Sequence, residues 1–173
     1  MIVNSPDRLF LDFSTEKLRE LSPRVDTCLA QLTDDQIWAR GRESENAVGN
    51  LVLHLCGNVR QWIISGVGGQ PDHRRRDTEF AARGGASKAE LRERLQYTVA
   101  EALPVIEKVS AQRLSDRLSI QGYDVTVLGA IYHVVEHFAM HTGQIIFVTK
   151  MLTGADLGFY RHLSEAAVPN QVA

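Results

Sequence analysis

Four long segments in which apolar residues recur every three or four positions constrain what this 173-residue chain can fold into. This spacing places the apolar side chains on one face of an α-helix. Four amphipathic helices in a chain of this length favour one four-helix bundle domain over residues 1–173. The predicted fold class is therefore all-α. No stretch approaches the ~20 consecutive apolar residues of a membrane span, so we expect no membrane partner.

The first two helices have clear apolar faces but differ in how they end. The first carries its stripe from Leu11 to Leu32, interrupted at Ser22-Pro23. Proline removes a hydrogen bond in a helix interior, so either this helix kinks there or Ser22 caps a second, short helix. The second helix is expected from about Ala47 to Ile64, where a glycine-rich stretch ends it.

The third and fourth helices have recognisable ends. A capping box at Ser87–Glu90 opens the third, which should bend at Pro104. The fourth is expected from about Thr126 to Thr153, with Gly154 ending it. The face of this helix opposite its predicted inner stripe is also apolar, which is typical of a central helix or of a subunit contact. The predicted inner stripe consists of Leu128, Ile131, Val135, Phe138, Ile145 and Leu152.

Two connections between these helices are unusual. The segment 66–86 is too long for a simple link in a compact bundle, and loops of this length often act as functional lids or ordered surface loops. Its Arg74-Arg75-Arg76 run is flanked by aspartates and is expected to be solvated. The segment 119–127 contains spaced apolar residues around Gly122, and we expect a short extended connector rather than a sheet.

Charge and cysteine usage exclude some classes of protein. The 19 basic and 21 acidic side chains give a formal charge of −2, which does not favour a nucleic-acid partner. Cys28 and Cys56 form no CxxC motif and are expected to be buried and apolar in character. The polar start of the chain lacks the apolar core of a signal peptide, and the predicted location is a reducing cytoplasm.

The histidines are the candidates for chemistry. His133, His137 and His141 are spaced four residues apart on the fourth helix, and a helical wheel places His141 at the edge of the buried face and His137 at its rim. His54 occupies a similar rim position on the second helix. An i, i+4 pair can direct both rings at one divalent ion, and a third imidazole from a facing helix would leave positions open for water or substrate. Spacing alone does not identify His54 as that third ligand.

Two alternatives to this site remain open at the level of sequence. Histidines at the edge of a core are often hydrogen-bonded packing residues. The segment His133-Val-Val-Glu136-His137 also matches H-x-x-E-H, in which both histidines would bind zinc and Glu136 would act as the base. That interpretation leaves His141 without a role and lacks a clear third ligand.

The segment His137-Phe-Ala-Met-His141-Thr-Gly-Gln144 resembles the HxxxHxGQ signature of the DinB/YfiT-like metal-binding superfamily. The stretch from Asn50 to Asn58 resembles the helix that supplies the remaining histidine of that superfamily, here His54. Gln61-Trp62 and the glycine block after it resemble an uncharacterised branch. The resemblance extends from the first helix to about Leu152.

This resemblance implies a DinB-like four-helix bundle with one divalent metal ion on His54, His137 and His141. Zinc and nickel are the first candidates, followed by iron and manganese. Relatives often form dimers, and some use a low-molecular-weight thiol. The expected function is therefore a metal-dependent hydrolase or a thiol-dependent transferase that acts on a small-molecule substrate. The expected oligomeric state is a homodimer. A non-catalytic stress-response or binding protein with a structural metal is the alternative.

Several neighbouring residues have two interpretations. Gln144 could lie near the open coordination position, or Gly143 and Gln144 could form a helix contact. Glu136 could be a general base or an exposed carboxylate, and Asn58 could support His54. In the long loop, the side chains of His73, Arg74, Arg75 and Asp77 could cover the mouth of a pocket.

Overall fold

The computed structural model describes residues 5–165. Its helices are α1 (Pro6–Gln31), α2 (Asp34–Trp38), α3 (Val48–Val59), α4 (Arg76–Ala81), α5 (Lys88–Glu107), α6 (Val127–Thr153) and α7 (Arg161–Glu165). A π-helical segment, Arg60–Val67, continues α3, and a 3₁₀ turn spans Gln112–Ser115. The strands are β1 (Arg117–Ile120) and β2 (Tyr123–Thr126).

The four long helices form a bundle. Helices α1 and α3 each pack against both α5 and α6, which places α1 and α3 at opposite corners. Leu18, Leu55, Leu95 and Phe138, one from each of these helices, are at most 1% exposed in the core. Burial of these apolar faces is the main favourable contribution to the fold. The prediction of an all-α bundle is confirmed.

The ends of the long helices follow local sequence signals. Ser5 caps α1, and Pro6 occupies its first position, where the missing N–H is not needed. Helix α1 continues through Pro23 to Gln31, so the alternative of a separate helix beginning after Ser22 is wrong. The capping box at Ser87 is present, and α6 begins after Thr126. At the other end of α6, Gly154 adopts a left-handed conformation.

The segment before α6 differs from the expectation of an extended connector. Strands β1 and β2 form an antiparallel hairpin with Ile120 opposite Tyr123. The turn residues Gln121 and Gly122 have φ values of 55° and 80°, a combination that suits a two-residue hairpin turn. Glutamine rarely adopts positive φ, so the residue types did not indicate this turn.

The segment 66–86 also contains more regular structure than expected, because α4 lies within it. This helix packs against α3, next to the histidines. The short helix α2 was not predicted either; Thr33 caps it and forms a capping box with Gln36.

Helix α6 has one buried face and one exposed apolar face. Leu128 and Leu152, predicted to point inward, are 43% and 40% exposed, so this part of the predicted stripe is wrong. Met140, Phe147 and Met151 are also exposed, as the second apolar face implied. Within residues 5–165, no helix is both long enough and apolar enough to cross a bilayer.

Candidate metal centre

Three histidine rings from two helices converge on one point. His54 projects from α3, while His137 and His141 project from successive turns of α6. The Nε2 atom of His137 lies 3.0 Å from Nε2 of His54 and 3.1 Å from Nε2 of His141. The ligand atoms of the three residues all lie within 4.8 Å of one another. The three residues singled out from the sequence are thus brought together.

A carboxylate behind His54 fixes the orientation of its ring. Oε2 of Glu79, on α4, lies 2.9 Å from Nδ1 of His54. An ionised carboxylate can only accept, so Nδ1 carries the proton and Nε2 presents its lone pair to the other histidines. Phe80, the next residue on α4, packs against the imidazole with ring centroids 4.6 Å apart. Neither Glu79 nor Phe80 was identified from the sequence.

Arg74 holds Glu79 in its charged form. Its Nε and Nη2 atoms each donate a 2.8 Å hydrogen bond to a different oxygen of the carboxylate. Burial raises the pKa of Glu79, but the hydrogen bonds and charges of Arg74 and His54 outweigh this effect and lower the pKa below its usual value. The Arg74 side chain is only 4% exposed. The prediction of a fully solvated arginine run is therefore wrong at Arg74.

Gly57 allows this ion pair to lie directly on α3. A Cβ atom at position 57 would lie 2.0 Å from Oε1 of Glu79 and 2.8 Å from Nε of Arg74. Any side chain at this position would therefore displace the carboxylate that orients His54. The position is less than one turn beyond His54, on the helix that supplies the ligand.

The rings on α6 are oriented in a similar way. Nδ1 of His141 donates to Oε1 of Gln144, 2.7 Å away, which leaves its Nε2 as an acceptor. Gln144 therefore supports the His141 ring, and Gly143 has no side-chain or remote backbone neighbour within 4 Å of an added Cβ. Nδ1 of His137 is buried and has no hydrogen-bond partner among the described residues.

The environment keeps these rings neutral. Burial, followed by the neighbouring charges of His141 and His54, lowers the pKa of His137 to about 3. Burial also lowers the pKa of His141, although Gln144 opposes the shift. A neutral imidazole is the form that binds a metal ion.

The donor set fits one divalent ion. Two nitrogen ligands of the same ion at ~2.0–2.1 Å lie roughly 3 to 3.5 Å apart, which matches the two short Nε2 separations. Without an ion, the lone pairs of His54 and His141 would both point at one nitrogen of His137, which can donate to only one of them. Metal-binding histidines are usually oriented by a hydrogen bond from the ring nitrogen that does not bind the ion. The hydrogen bonds to Glu79 and Gln144 are of this kind.

His133 occupies a different environment. Its Nε2 lies 3.2 Å from Nδ2 of Asn58, and its ring packs on Trp62 with centroids 4.1 Å apart. Asn58 therefore contacts His133 and not His54, contrary to the expectation from sequence. Glu136 is exposed. Because the converging group is formed with His141 in place of His133, the geometry does not favour the H-x-x-E-H interpretation.

A cavity of about 360 Å³ opens beside the histidines. Its wall includes side chains from α3 and α6 and from the π-helical segment, together with the tip of the hairpin. Irregular π-helical turns often lie at functional sites. The cavity residues beyond the cluster itself include Asn58, Trp62, Arg76, Gln121, Tyr123 and His133.

The two cysteines do not take part in this site. Both are buried and unpaired with each other. Burial raises the pKa of Cys28, and it raises the pKa of Cys56 to about 12. Neither thiol belongs to the group of side chains that could hold a metal ion.

The fold and the three-histidine cluster define the class of protein. The crystal structure of a DinB-like protein from Bacillus cereus ATCC 10987 has a TM-score of 0.66 and 13% identity to this chain, covering 83% of it and 93% of the other. The structure of a conserved protein from Enterococcus faecalis has a TM-score of 0.68 and 20% identity, covering 83% and 97%. The chain has a DinB-like fold.

The sequence profile described as "Protein of unknown function (DUF1572)" matches residues 6–165. The chain belongs to this family, which is DinB-like, and the expectation of an uncharacterised branch of the superfamily is confirmed. No curated protein matches the sequence.

Proposed function

We propose that His54, His137 and His141 bind one divalent metal ion through their Nε2 atoms. The observation that carries this proposal is the 3.0 and 3.1 Å separation of these atoms, with the Nδ1 atoms of His54 and His141 already bonded to Glu79 and Gln144. Zinc and nickel are the ions best suited to three imidazoles, and iron or manganese are further candidates.

An ion held by three protein ligands has coordination positions left over and supplies a Lewis acid at the edge of the 360 Å³ cavity. The residues around it have separate roles. Glu79 and Arg74 keep the His54 ring in position, and Gln144 does the same for His141. Trp62, Tyr123 and Gln121 would contact a small molecule in the cavity.

We infer that the protein acts on a small molecule in this cavity, as a metal-dependent hydrolase or as a transferase that uses a low-molecular-weight thiol. The buried cysteines support the use of an external thiol by a transferase, because neither Cys28 nor Cys56 can supply a reactive thiolate at the metal centre.

One observation favours a non-catalytic role instead. Glu79, the carboxylate nearest the cluster, already accepts hydrogen bonds from Arg74 and His54, and Glu136 is exposed on α6. Neither is placed to accept a proton from a substrate in the cavity. A binding protein whose ion is structural would have this arrangement.

Competition against a chromophoric chelator tests metal binding. The wild type should bind one zinc or nickel ion per chain, and His54→Ala, His137→Ala and His141→Ala should each weaken binding by at least about 100-fold. His162→Ala is the control, since His162 is exposed on α7. Unchanged affinity in the three variants would refute the site.

Turnover distinguishes the functional candidates. Metal-loaded wild type and His137→Ala are incubated with aryl esters, and with electrophiles in the presence and absence of glutathione or cysteine. Ester cleavage without thiol supports the hydrolase, and thiol-dependent conjugation supports the transferase. If the wild type is no more active than His137→Ala in all of these assays, the result favours the binding role.

A homodimer is also proposed, because Met140, Phe147 and Met151 give α6 a second, exposed apolar face. Light scattering after size-exclusion chromatography would give about twice the 19.3 kDa chain mass for a dimer. Met151→Lys should shift the protein toward the monomer, whereas a monomeric wild type would exclude the proposal.

A further inference from the structure

A second, larger cavity lies behind the carboxylate that orients His54. It measures about 510 Å³ and is bounded by α3, α5 and the segment leading into α4. It shares Arg74 and Glu79 with the histidine cluster, but His54, His137 and His141 do not line it. Nothing in the proposed metal chemistry requires this cavity.

Positive side chains from three different elements meet in its wall. Arg60 follows α3, Arg75 precedes α4, and Arg94 lies on α5. Arg74 lines the cavity as well, opposite one acidic residue, Glu79. The cavity is therefore strongly basic, although the chain as a whole has a formal charge of −2.

Two of these cations, Arg75 and Arg94, form no direct ion pair among the residues whose side chains the structure describes. Arg74 and Glu79 neutralise each other, and Arg60 pairs with Glu101 at 3.0 Å. Within residues 5–163, no carboxylate forms an ion pair with Arg75 or Arg94. Unpaired guanidinium groups around one cavity are suited to a planar or tetrahedral oxyanion.

The rest of the wall is suited to an apolar group. Leu53 is half-buried at one side, and Tyr97, on α5, is 61% exposed with its ring at the cavity. Together with Cys56 and Thr98, these side chains give a surface that is apolar except for the hydroxyl groups of Tyr97 and Thr98 and the thiol of Cys56. A cavity of this size accommodates a small organic molecule.

We propose that this cavity binds a small organic oxyanion, a phosphate or carboxylate group carried on an apolar body. Arg75 and Arg94 bind the oxyanion, and Leu53 and Tyr97 contact the body. The side chains proposed to bind the oxyanion are separate from the three metal ligands, although Arg74 and Glu79 border both sites.

Calorimetry with phenyl phosphate, inorganic phosphate and benzoate at constant ionic strength tests the proposal. Phenyl phosphate or benzoate should bind saturably, and the stronger of the two identifies the oxyanion. Arg75→Gln and Arg94→Gln should each weaken binding about tenfold, equivalent to ~1.4 kcal/mol. Tyr97→Ser should weaken binding of the aromatic probe and leave binding of inorganic phosphate unchanged.

Two controls keep the result specific. Arg42→Gln removes an exposed arginine outside the cavity and should bind like the wild type; an equal loss in this variant would mean non-specific attraction and would overturn the proposal. His137→Ala removes a proposed metal ligand and should retain binding. Binding lost in His137→Ala would assign the anion to the histidines, and no saturable binding of any probe would also overturn the proposal.

Discussion

Glu79 accepts a 2.9 Å hydrogen bond from Nδ1 of His54, although the two residues are 25 positions apart in the chain. Helix α4 brings the carboxylate over α3, and Arg74 holds it there through two further hydrogen bonds. This contact determines which nitrogen of His54 faces His137 and His141. The arrangement of the whole site therefore depends on a short helix in the connection between two long ones.

Glu79→Gln should weaken metal binding by about 10- to 100-fold, because the partner that orients His54 loses its charge. It should also destabilise the fold by ~3 kcal/mol, since Arg74 becomes a buried, unpaired charge. The double variant Arg74→Gln/Glu79→Gln removes both charges and should recover stability without recovering affinity. Chelator competition and urea denaturation measure the two effects, and Glu136→Gln is the control. If Glu79→Gln binds the metal ion with wild-type affinity, the contact between Glu79 and His54 does not contribute to metal binding.

Gly57→Ala should lower the free energy of unfolding by ~1 kcal/mol or more, because the added methyl group overlaps the Glu79 carboxylate. The same overlap should weaken metal binding. Gly143→Ala is the matched control: it lies in a helix with open space around it and should be neutral or stabilising by up to ~1 kcal/mol. Equal effects of the two substitutions in denaturation experiments would contradict the proposed close approach at Gly57.

The thiols should resist modification in the folded protein. Burial raises the pKa of Cys56 to about 12 and also raises that of Cys28. Relative to an ordinary cysteine, the thiolate fraction of Cys56 is lower by roughly a thousandfold. An uncharged alkylating reagent should react slowly with native protein and modify both cysteines after denaturation. Rapid reaction of one thiol in the native state would contradict this burial.

The ion pair between Asp26 on α1 and Arg92 on α5 should make stability depend on pH. Hydrogen bonds of 2.6 and 2.8 Å from Arg92 lower the pKa of Asp26. Because the folded-state pKa lies below the unfolded value of about 3.9, the stabilisation is complete above that value and is lost as the pH falls through the folded-state pKa.

Asp26→Asn should therefore cost up to about 1 kcal/mol at pH 7, and its difference from the wild type should shrink below about pH 4. Urea denaturation across this range measures the effect. Glu16→Gln, an exposed position on the same helix, should show no such trend. A difference that stays constant with pH would exclude the ion pair as its cause.

The long helices and the pair His137 and His141 could be predicted from the sequence because their signals are local. The apolar spacing, the capping box at Ser87 and the glycine at position 154 each act within a few residues. His137 and His141 are one turn apart on one helix, so their proximity follows from helix geometry alone. Only the pairing with His54 required knowledge of how two helices face each other.

The remaining parts of the site depend on tertiary contacts and leave little trace in the sequence. Glu79 lies in a short helix whose N-terminus has no side-chain cap, and its role depends on packing over Gly57. Arg74 belongs to a run of arginines of a kind that is usually solvated, but its side chain is buried because it pairs with the buried carboxylate of Glu79. The hairpin turn at Gln121 depends on a backbone conformation that glutamine seldom adopts.

X-ray absorption spectroscopy of the zinc-loaded protein tests the central claim most directly, because it counts the imidazoles bound to the ion. We predict three histidine nitrogens at ~2.0–2.1 Å, completed by a light atom that is not from a histidine. In His137→Ala, the count should fall or the zinc should be lost. Sulfur at ~2.3 Å, or fewer than three imidazoles in the wild type, would contradict the three-histidine centre.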